Sequence, residues 1–199
     1  MIDHIRGKVS HKEPNLVVIE CGGIGYACRT SMQTAAAVGA AGEETLLYTR
    51  MTVREDEIAL YGFSERSERS CFDQLTGISG VGPKAALAIL SDLTPNRFAL
   101  LVASGDSSAL TKVKGIGKKS AERIVVDLKD KLAKSNPVMK ELPASGGAVG
   151  TDGLSEALAA LLVLGYRQEE VLPVLAKLPP DTEAEELIRL TLREMGKKR

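Results

Sequence analysis

The sequence predicts a mixed α and β chain of several domains: a small β-barrel, a helical middle segment and a three-helix tail. Three observations carry this. Short β-branched runs fill the first sixty residues, a glycine hairpin occurs twice in the middle at helical surroundings, and a Pro/Gly/Ser-rich stretch separates the final helices.

The barrel comes first. Ile5-Arg-Gly-Lys-Val, Leu16-Val-Val-Ile-Glu, Tyr26-Ala-Cys-Arg-Thr, Leu46-Leu-Tyr-Thr-Arg-Met-Thr-Val and Ile58-Ala-Leu-Tyr read as about five short strands. Gly22-Gly-Ile-Gly25 supplies a turn between two of them. Five short strands leave exposed edges unless the sheet closes on itself, so a barrel is expected. The Ala-rich interruption from Ser31 to Gly39 reads as a short helix.

From Ser64 the apolar period changes to that of a helix and stays so to about Lys134. Residues 135–153 have the composition of a flexible linker, so the tail is expected to be a separate, mobile module. In the tail, Leu154, Ala157, Leu158, Leu161 and Leu162 form one helical face that stops at Gly165. Val171, Leu172 and Leu175 form a second face, and Leu187, Ile188 and Leu192 a third, with Thr182 and Glu185 spaced as a capping box. The expected divisions are 1–63, 64–134, a linker at 135–153, and 154–199.

The formal net charge is zero, but the charge is not evenly spread. Residues 1–62 hold 6 Lys+Arg and 8 Asp+Glu, residues 63–141 hold 13 and 9, and residues 142–199 hold 7 and 9. A basic middle flanked by acidic ends is compatible with phosphate binding, which needs local positive potential and not a basic chain. Three cysteines (Cys21, Cys28, Cys71) and two histidines (His4, His11) show no metal-ligand spacing and read as reduced, structural residues. No metal and no cofactor is expected. The N-terminus lacks a signal-peptide pattern and no run is long enough to span a bilayer, so the expectation is a cytoplasmic protein without a membrane role.

The internal repeat carries the chemistry. Leu75-Thr-Gly-Ile-Ser-Gly-Val-Gly-Pro-Lys-Ala-Ala-Leu-Ala-Ile-Leu90 aligns without gaps on Leu110-Thr-Lys-Val-Lys-Gly-Ile-Gly-Lys-Lys-Ser-Ala-Glu-Arg-Ile-Val125. In each copy a Gly-x-Gly turn (Gly80-Val81-Gly82, Gly115-Ile116-Gly117) leads into a helix. Glycine admits tight backbone geometry and close approach of a ligand, and the apolar residue between can fix the hairpin to the core. The free amides and positive end of the next helix then face outward, an anion-binding arrangement. Pro83 suits the first turn of that helix in copy one, and Lys84 matches Lys119 in the alignment. Lys118 and Lys119 at a helix start oppose the macrodipole, a local conflict that a bound phosphate resolves and that a solvated basic helix end leaves standing. Arg123, one turn on, reaches the same backbone or faces solvent; spacing alone leaves both open.

Two lookalikes fail. Gly80-x-Gly82-x-x-Ala85 fits a loose dinucleotide fingerprint but follows no strand. Gly117-Lys118 resembles the end of a nucleotide phosphate loop, yet Lys119 and Lys112 stand where that loop needs Ser/Thr and Gly, so no ATP binding is expected.

These hairpins resemble the helix-hairpin-helix motif, which grips DNA backbone without reading sequence. With Arg54-Glu-Asp and Leu60-Tyr-Gly-Phe63, the order barrel, two hairpins, linker, three-helix tail resembles the bacterial Holliday junction branch migration subunit family RuvA over essentially the whole chain. That resemblance implies an OB-fold barrel, a homotetramer that can pair into an octamer, and a non-catalytic scaffold. It implies that Gly80, Gly82, Lys84, Gly115, Gly117, Lys118, Lys119 and Arg123 hold the arms of a four-way DNA junction. Glu55 and Asp56 match the family's acidic pin; read without the family, Glu55-Asp-Glu57 is a solvated turn between strands. The tail matches the module that contacts the RuvB ATPase ring, with Leu161, Leu164, Tyr166 and Leu192 at apolar contact positions, although the same leucines can fill the core of a small helical module. RuvC resolvase is a further partner implied by the family.

Competing classes have weaker support. A hairpin-type glycosylase or nuclease subunit would need a catalytic Asp or clustered carboxylates. Asp106 lacks the surrounding pattern and reads as a helix cap, and Glu55-Asp-Glu57 alternates faces if it lies on a strand. A single-strand binder would want aromatic platforms, and the chain has three Phe, four Tyr and no Trp.

Overall fold

The computed structural model describes residues 1–135, 153–179 and 182–197. Most of the expected linker, residues 136–152, lies outside the described residues. Contacts divide the chain into two compact units, Met1–Thr76 with Gly82–Thr94, and Gly77–Val81 with Pro95–Arg199. Each is described by itself.

The first unit is built on five strands, β1 (His4–Glu13), β2 (Leu16–Cys21), β3 (Ile24–Arg29), β4 (Glu44–Val53) and β5 (Ile58–Phe63). They close into an OB-like barrel in the order β1-β2-β3-β5-β4. All pairings are antiparallel except β3 with β5, where Cys28 faces Leu60 and Arg29 faces Tyr61. The ten-residue β1 serves two neighbours. It pairs with β4 through His4–Lys8 and with β2 through Lys8–Glu13, and a register shift between Val9 and His11 marks the bend. Gly7 is required where β1 crosses β2, because a Cβ there would sit 2.1 Å from the Glu20 carbonyl oxygen.

Alternation along the strands sends Ile5, Val9, Val17, Ile19, Cys28 and Leu47 into the barrel. A short helix α1 (Met32–Ala37) adds Ala35 to this core, followed by Val38. Its N-terminus is capped by Ser31, whose hydroxyl accepts the Thr34 amide at 3.0 Å. Burial pushes the Cys28 thiol up to about 12 and raises Cys71 as well. Cys21, Cys28 and Cys71 are all free, with Cys21 exposed.

Helix α2 (Arg66–Thr76) is fixed to the barrel by Phe72, fully buried, with ring centroids 4.9 Å from Tyr61 and 5.0 Å from Phe63. At its flank the Arg50 guanidinium grips both carboxylate oxygens of Asp73. Glu68 is buried in the same helix and accepts hydrogen bonds from the Ser31 and Thr34 hydroxyls, joining α2 to α1. Burial raises its carboxyl above the usual range, against the pull of these two bonds. Helix α3 (Pro83–Asp92) packs on α2 and α1, and the Met32 amide donates to Ser91 Oγ at 3.0 Å.

The second unit contains α4 (Pro95–Ser104), a short 3-10 helix (Leu110–Lys112), α5 (Lys118–Ser135) and the tail helices α6 (Gly153–Val163), α7 (Gln168–Leu175) and α8 (Ala184–Lys197). Three tail helices appear as expected. Helix α6 packs against α4 as well as α7 and α8. The reason is its composition. Residues Ala157 and Ala159 through Leu164 are all buried, so α6 is apolar around most of its circumference and needs cover on two sides. Helices α7 and α8 cover one side and α4 the other. A single apolar stripe, as read from the leucines alone, underestimated this. Gly153 lets α6 begin close to the chain before α8, since a Cβ there would lie 2.8 Å from the Thr182 carbonyl oxygen.

Two local expectations shift. Helix α8 begins at Ala184, with the Leu187 amide donating to the Glu183 carbonyl, so Thr182 stands one residue ahead of the capping position. Asp106 caps no α-helix. Its carboxylate accepts the Ser108 amide at 2.9 Å and the Ser108 hydroxyl at 2.5 Å, an Asx turn that also lowers its own carboxyl. Among the described residues no single helix is long and apolar enough to cross a membrane.

Candidate nucleic-acid interface

The two hairpins fold alike. In the first, the Val81 amide donates to the Ile78 carbonyl at 3.0 Å, and in the second the Ile116 amide donates to the Val113 carbonyl at 3.0 Å. The glycine that opens each turn is left-handed, Gly80 at φ 87° and Gly115 at φ 89°. The middle residues Val81 and Ile116 are buried at 7% and 6% exposure, as expected of residues that fix a hairpin to its core.

Each hairpin runs directly into a helix whose start carries no side-chain cap from its own glycine. Gly82 holds the N-terminal position of α3 with Pro83 next, and Gly117 precedes Lys118, the first residue of α5. Neither helix has an acidic residue in its first turn. The first intrahelical bonds run from Ala86 to Gly82 at 3.0 Å and from Ala121 to Gly117 at 2.9 Å, leaving the preceding amides to an outside acceptor. A Cβ built on Gly82, Gly115 or Gly117 would meet nothing within 4 Å. For Gly82 and Gly117, whose φ is not left-handed, neither space nor dihedral in this chain demands glycine. Glycine at both positions leaves the backbone open to close approach from outside.

The cations are placed around these turns. Lys84 is exposed on the first turn of α3. Lys118 is 84% exposed in its side chain, 4.0 Å from Glu122, and Lys119 is exposed beside it. Arg123 is half exposed on α5. It pairs loosely with Asp127 at 3.5 Å, and its Nη1 lies 3.9 Å from the position a Gly80 Cβ would occupy. A residue of the second copy thus stands over the turn of the first.

Sequence reading overlooked Lys112 and Lys114. Both are exposed on the approach to the second hairpin, where copy one has Gly77 and Ser79.

The acidic turn spans residues 54–57, between β4 and β5. Val53 faces Ile58 across β4 and β5, and the Arg54 amide donates to the Glu57 carbonyl at 2.8 Å, leaving Glu55 and Asp56 at the tip, both exposed. Glu57 departs from them. Its carboxylate is bound by the Arg29 guanidinium of β3. Among the described residues no group of three or more His, Cys, Asp or Glu is placed to hold a metal ion.

The four tail residues divide. Leu161 and Leu164 are buried at 0% and 2% exposure and serve the packing of α6, while Tyr166 and Leu192 are half-buried.

Comparison with known proteins follows this geometry closely. Residues 1–62 match the RuvA N-terminal domain, 72–130 a SAM-like helix-hairpin-helix tandem, and 152–196 the RuvA C-terminal domain. A curated Holliday junction branch migration complex subunit RuvA from Rubrobacter xylanophilus is 42% identical over the full length of both chains. This chain belongs to the RuvA family. RuvA of Acetivibrio thermocellus is 40% identical over 99% of this chain and 100% of its own, and RuvA of Chloroflexus aggregans 42% over 98% and 99%. The RuvA relatives therefore share all three segments in the same order, and the hairpin tandem falls on the family's helix-hairpin-helix match.

Proposed function

We propose that this chain is a non-catalytic subunit that binds four-way DNA junctions and scaffolds their branch migration. The observation that carries the reading is the pair of equivalent uncapped hairpins, with Arg123 of the second over Gly80 of the first. Each turn offers amides and a helix N-terminus to one phosphate, and the open space beside Gly82 and Gly117 admits the sugar-phosphate chain. Lys84, Lys118, Lys119 and Arg123 add charge to that grip without touching base edges, so little sequence preference is expected.

Glu55 and Asp56 act as an acidic post where strands must part, by repelling phosphates from the junction centre. Four copies form the assembly, which can pair into an octamer; the RuvB ring supplies ATP-driven motion and RuvC acts on the same junction, in the cytoplasm. The segments 1–63, 64–134 and 154–199 serve as barrel, DNA grip and motor contact, joined at 135–153. Tyr166 and Leu192 are the better placed of the four tail residues to meet the motor without unfolding; Leu161 and Leu164 would need α6 to be uncovered.

A competition assay tests this. Labelled synthetic four-way junction faces excess linear duplex over a salt series, with protein alone. Binding to the junction that survives competitor, without cleavage and without ATP, is expected. Equal affinity for duplex, or any strand cutting, would overturn it in favour of a general repair module or an enzyme.

A further inference from the structure

We infer that Arg29 is a positioning residue for the acidic turn: by binding the Glu57 carboxylate it ties the turn to β3 and leaves Glu55 and Asp56 alone to project. The inference rests on the reading of Glu55 and Asp56 given above and deepens it.

The backbone does little to hold the turn: one bond, from the Arg54 amide to the Glu57 carbonyl, closes the four residues between β4 and β5. Packing does not hold it either. Val53 and Ile58, the strand residues beneath the loop, are 65% and 73% exposed. Three consecutive carboxylates also repel one another, which favours an open loop.

The Arg29 side chain answers all three. Arg29 lies on β3, opposite Tyr61 of the parallel partner β5. Its guanidinium donates to both Glu57 oxygens, one at 3.3 Å and the other shorter, in a forked arrangement that fixes direction as well as distance. One charge of the run is thereby neutralised, and the loop is fastened from the neighbouring strand.

The two side chains are 48% and 44% exposed, so the pair adds little to global stability. Its positional role is therefore separable from folding. The test places 2-aminopurine at the crossover of a synthetic four-way junction and follows its fluorescence on binding by the full chain, alongside amide hydrogen exchange at residues 54–57. Arg29→Gln and Arg29→Gln/Glu57→Gln are expected to cut the fluorescence gain roughly threefold, in line with an exposed ion pair, and to speed exchange in the turn. Arg29→Lys and the exchange Arg29→Glu/Glu57→Arg are expected to restore part of it. Melting temperature and duplex binding are expected to stay as in the parent. Wild-type fluorescence in Arg29→Gln, with loss in Glu55→Gln/Asp56→Asn, overturns the role of Arg29 and leaves the acidic post standing. Wild-type fluorescence in Glu55→Gln/Asp56→Asn overturns both.

Discussion

The Arg123 guanidinium lies over Gly80, with Nη1 3.9 Å from the point where a Cβ on that glycine would project. Forty-odd residues of chain separate them, and each belongs to a different copy of the hairpin repeat. Within the second unit, the cation of α5 thus stands beside the glycine that opens the first turn. An anion held at Gly80 would be within reach of that charge.

The four hairpin glycines should separate by mutation. Gly80→Ala and Gly115→Ala force a side chain into left-handed dihedrals and should lower stability by about 1–2 kcal/mol each, seen in urea denaturation. Gly82→Ala and Gly117→Ala meet open space at ordinary dihedrals, so stability should change by no more than about 0.5 kcal/mol. Junction affinity should nonetheless fall for both, because the added methyl occupies the ligand's side of the turn. Unchanged affinity in Gly82→Ala and Gly117→Ala would remove the phosphate grip from these turns.

Lys118→Ala should move stability and binding in opposite directions. Removing a cation from the first turn of α5 should stabilise the protein by about 0.3–1 kcal/mol at low salt. The Glu122 contact at 4.0 Å is exposed and offsets little of this. Junction affinity should drop, and the slope of log affinity against log salt should fall by about 1. An unchanged slope would place Lys118 in solvent.

Glu68 predicts a pH effect whose sign follows from its raised carboxyl. A group with a raised folded pKa favours folding while protonated, below its ordinary value of 4.5, and loses that contribution as pH rises through the folded value. Glu68→Gln should therefore gain on the parent from about pH 4.5 upward, as the parent's buried carboxyl ionises. Denaturation midpoints of the two proteins at pH 4 and pH 7 give the difference. A gap that shrinks with rising pH would show that the Ser31 and Thr34 bonds outweigh burial.

Leu161→Ala should behave as a core deletion and not as a surface change. Its side chain is fully buried in α6, so a loss of about 2–5 kcal/mol is expected in the second unit. Leu192→Ala, half-buried on α8, should cost less while reducing capture of the motor subunit. Motor binding lost in Leu161→Ala with no drop in stability would return Leu161 to the contact surface.

Much of the site was legible because it rests on local geometry. Gly-x-Gly turns, a proline at the first helical position and an apolar residue between glycines each act within a few residues, so the repeat could be read directly. What escaped depended on distant partners. The Arg29–Glu57 pair joins residues 28 apart through a parallel strand pairing that no local pattern announces. The packing of α6 on α4 escaped for a related reason: a linker composition reports on the linker, not on what α6 packs against.

The sequence by itself determined the five strands, the paired hairpins and the left-handed glycines, because alternation, helical period and steric freedom are properties of neighbouring residues. Tertiary structure alone decided the closing of β3 on β5, the seating of Arg123 over Gly80 and the cover of α6 by α4. Those depend on which apolar faces find one another across long stretches of chain, where burial and not local preference selects the arrangement.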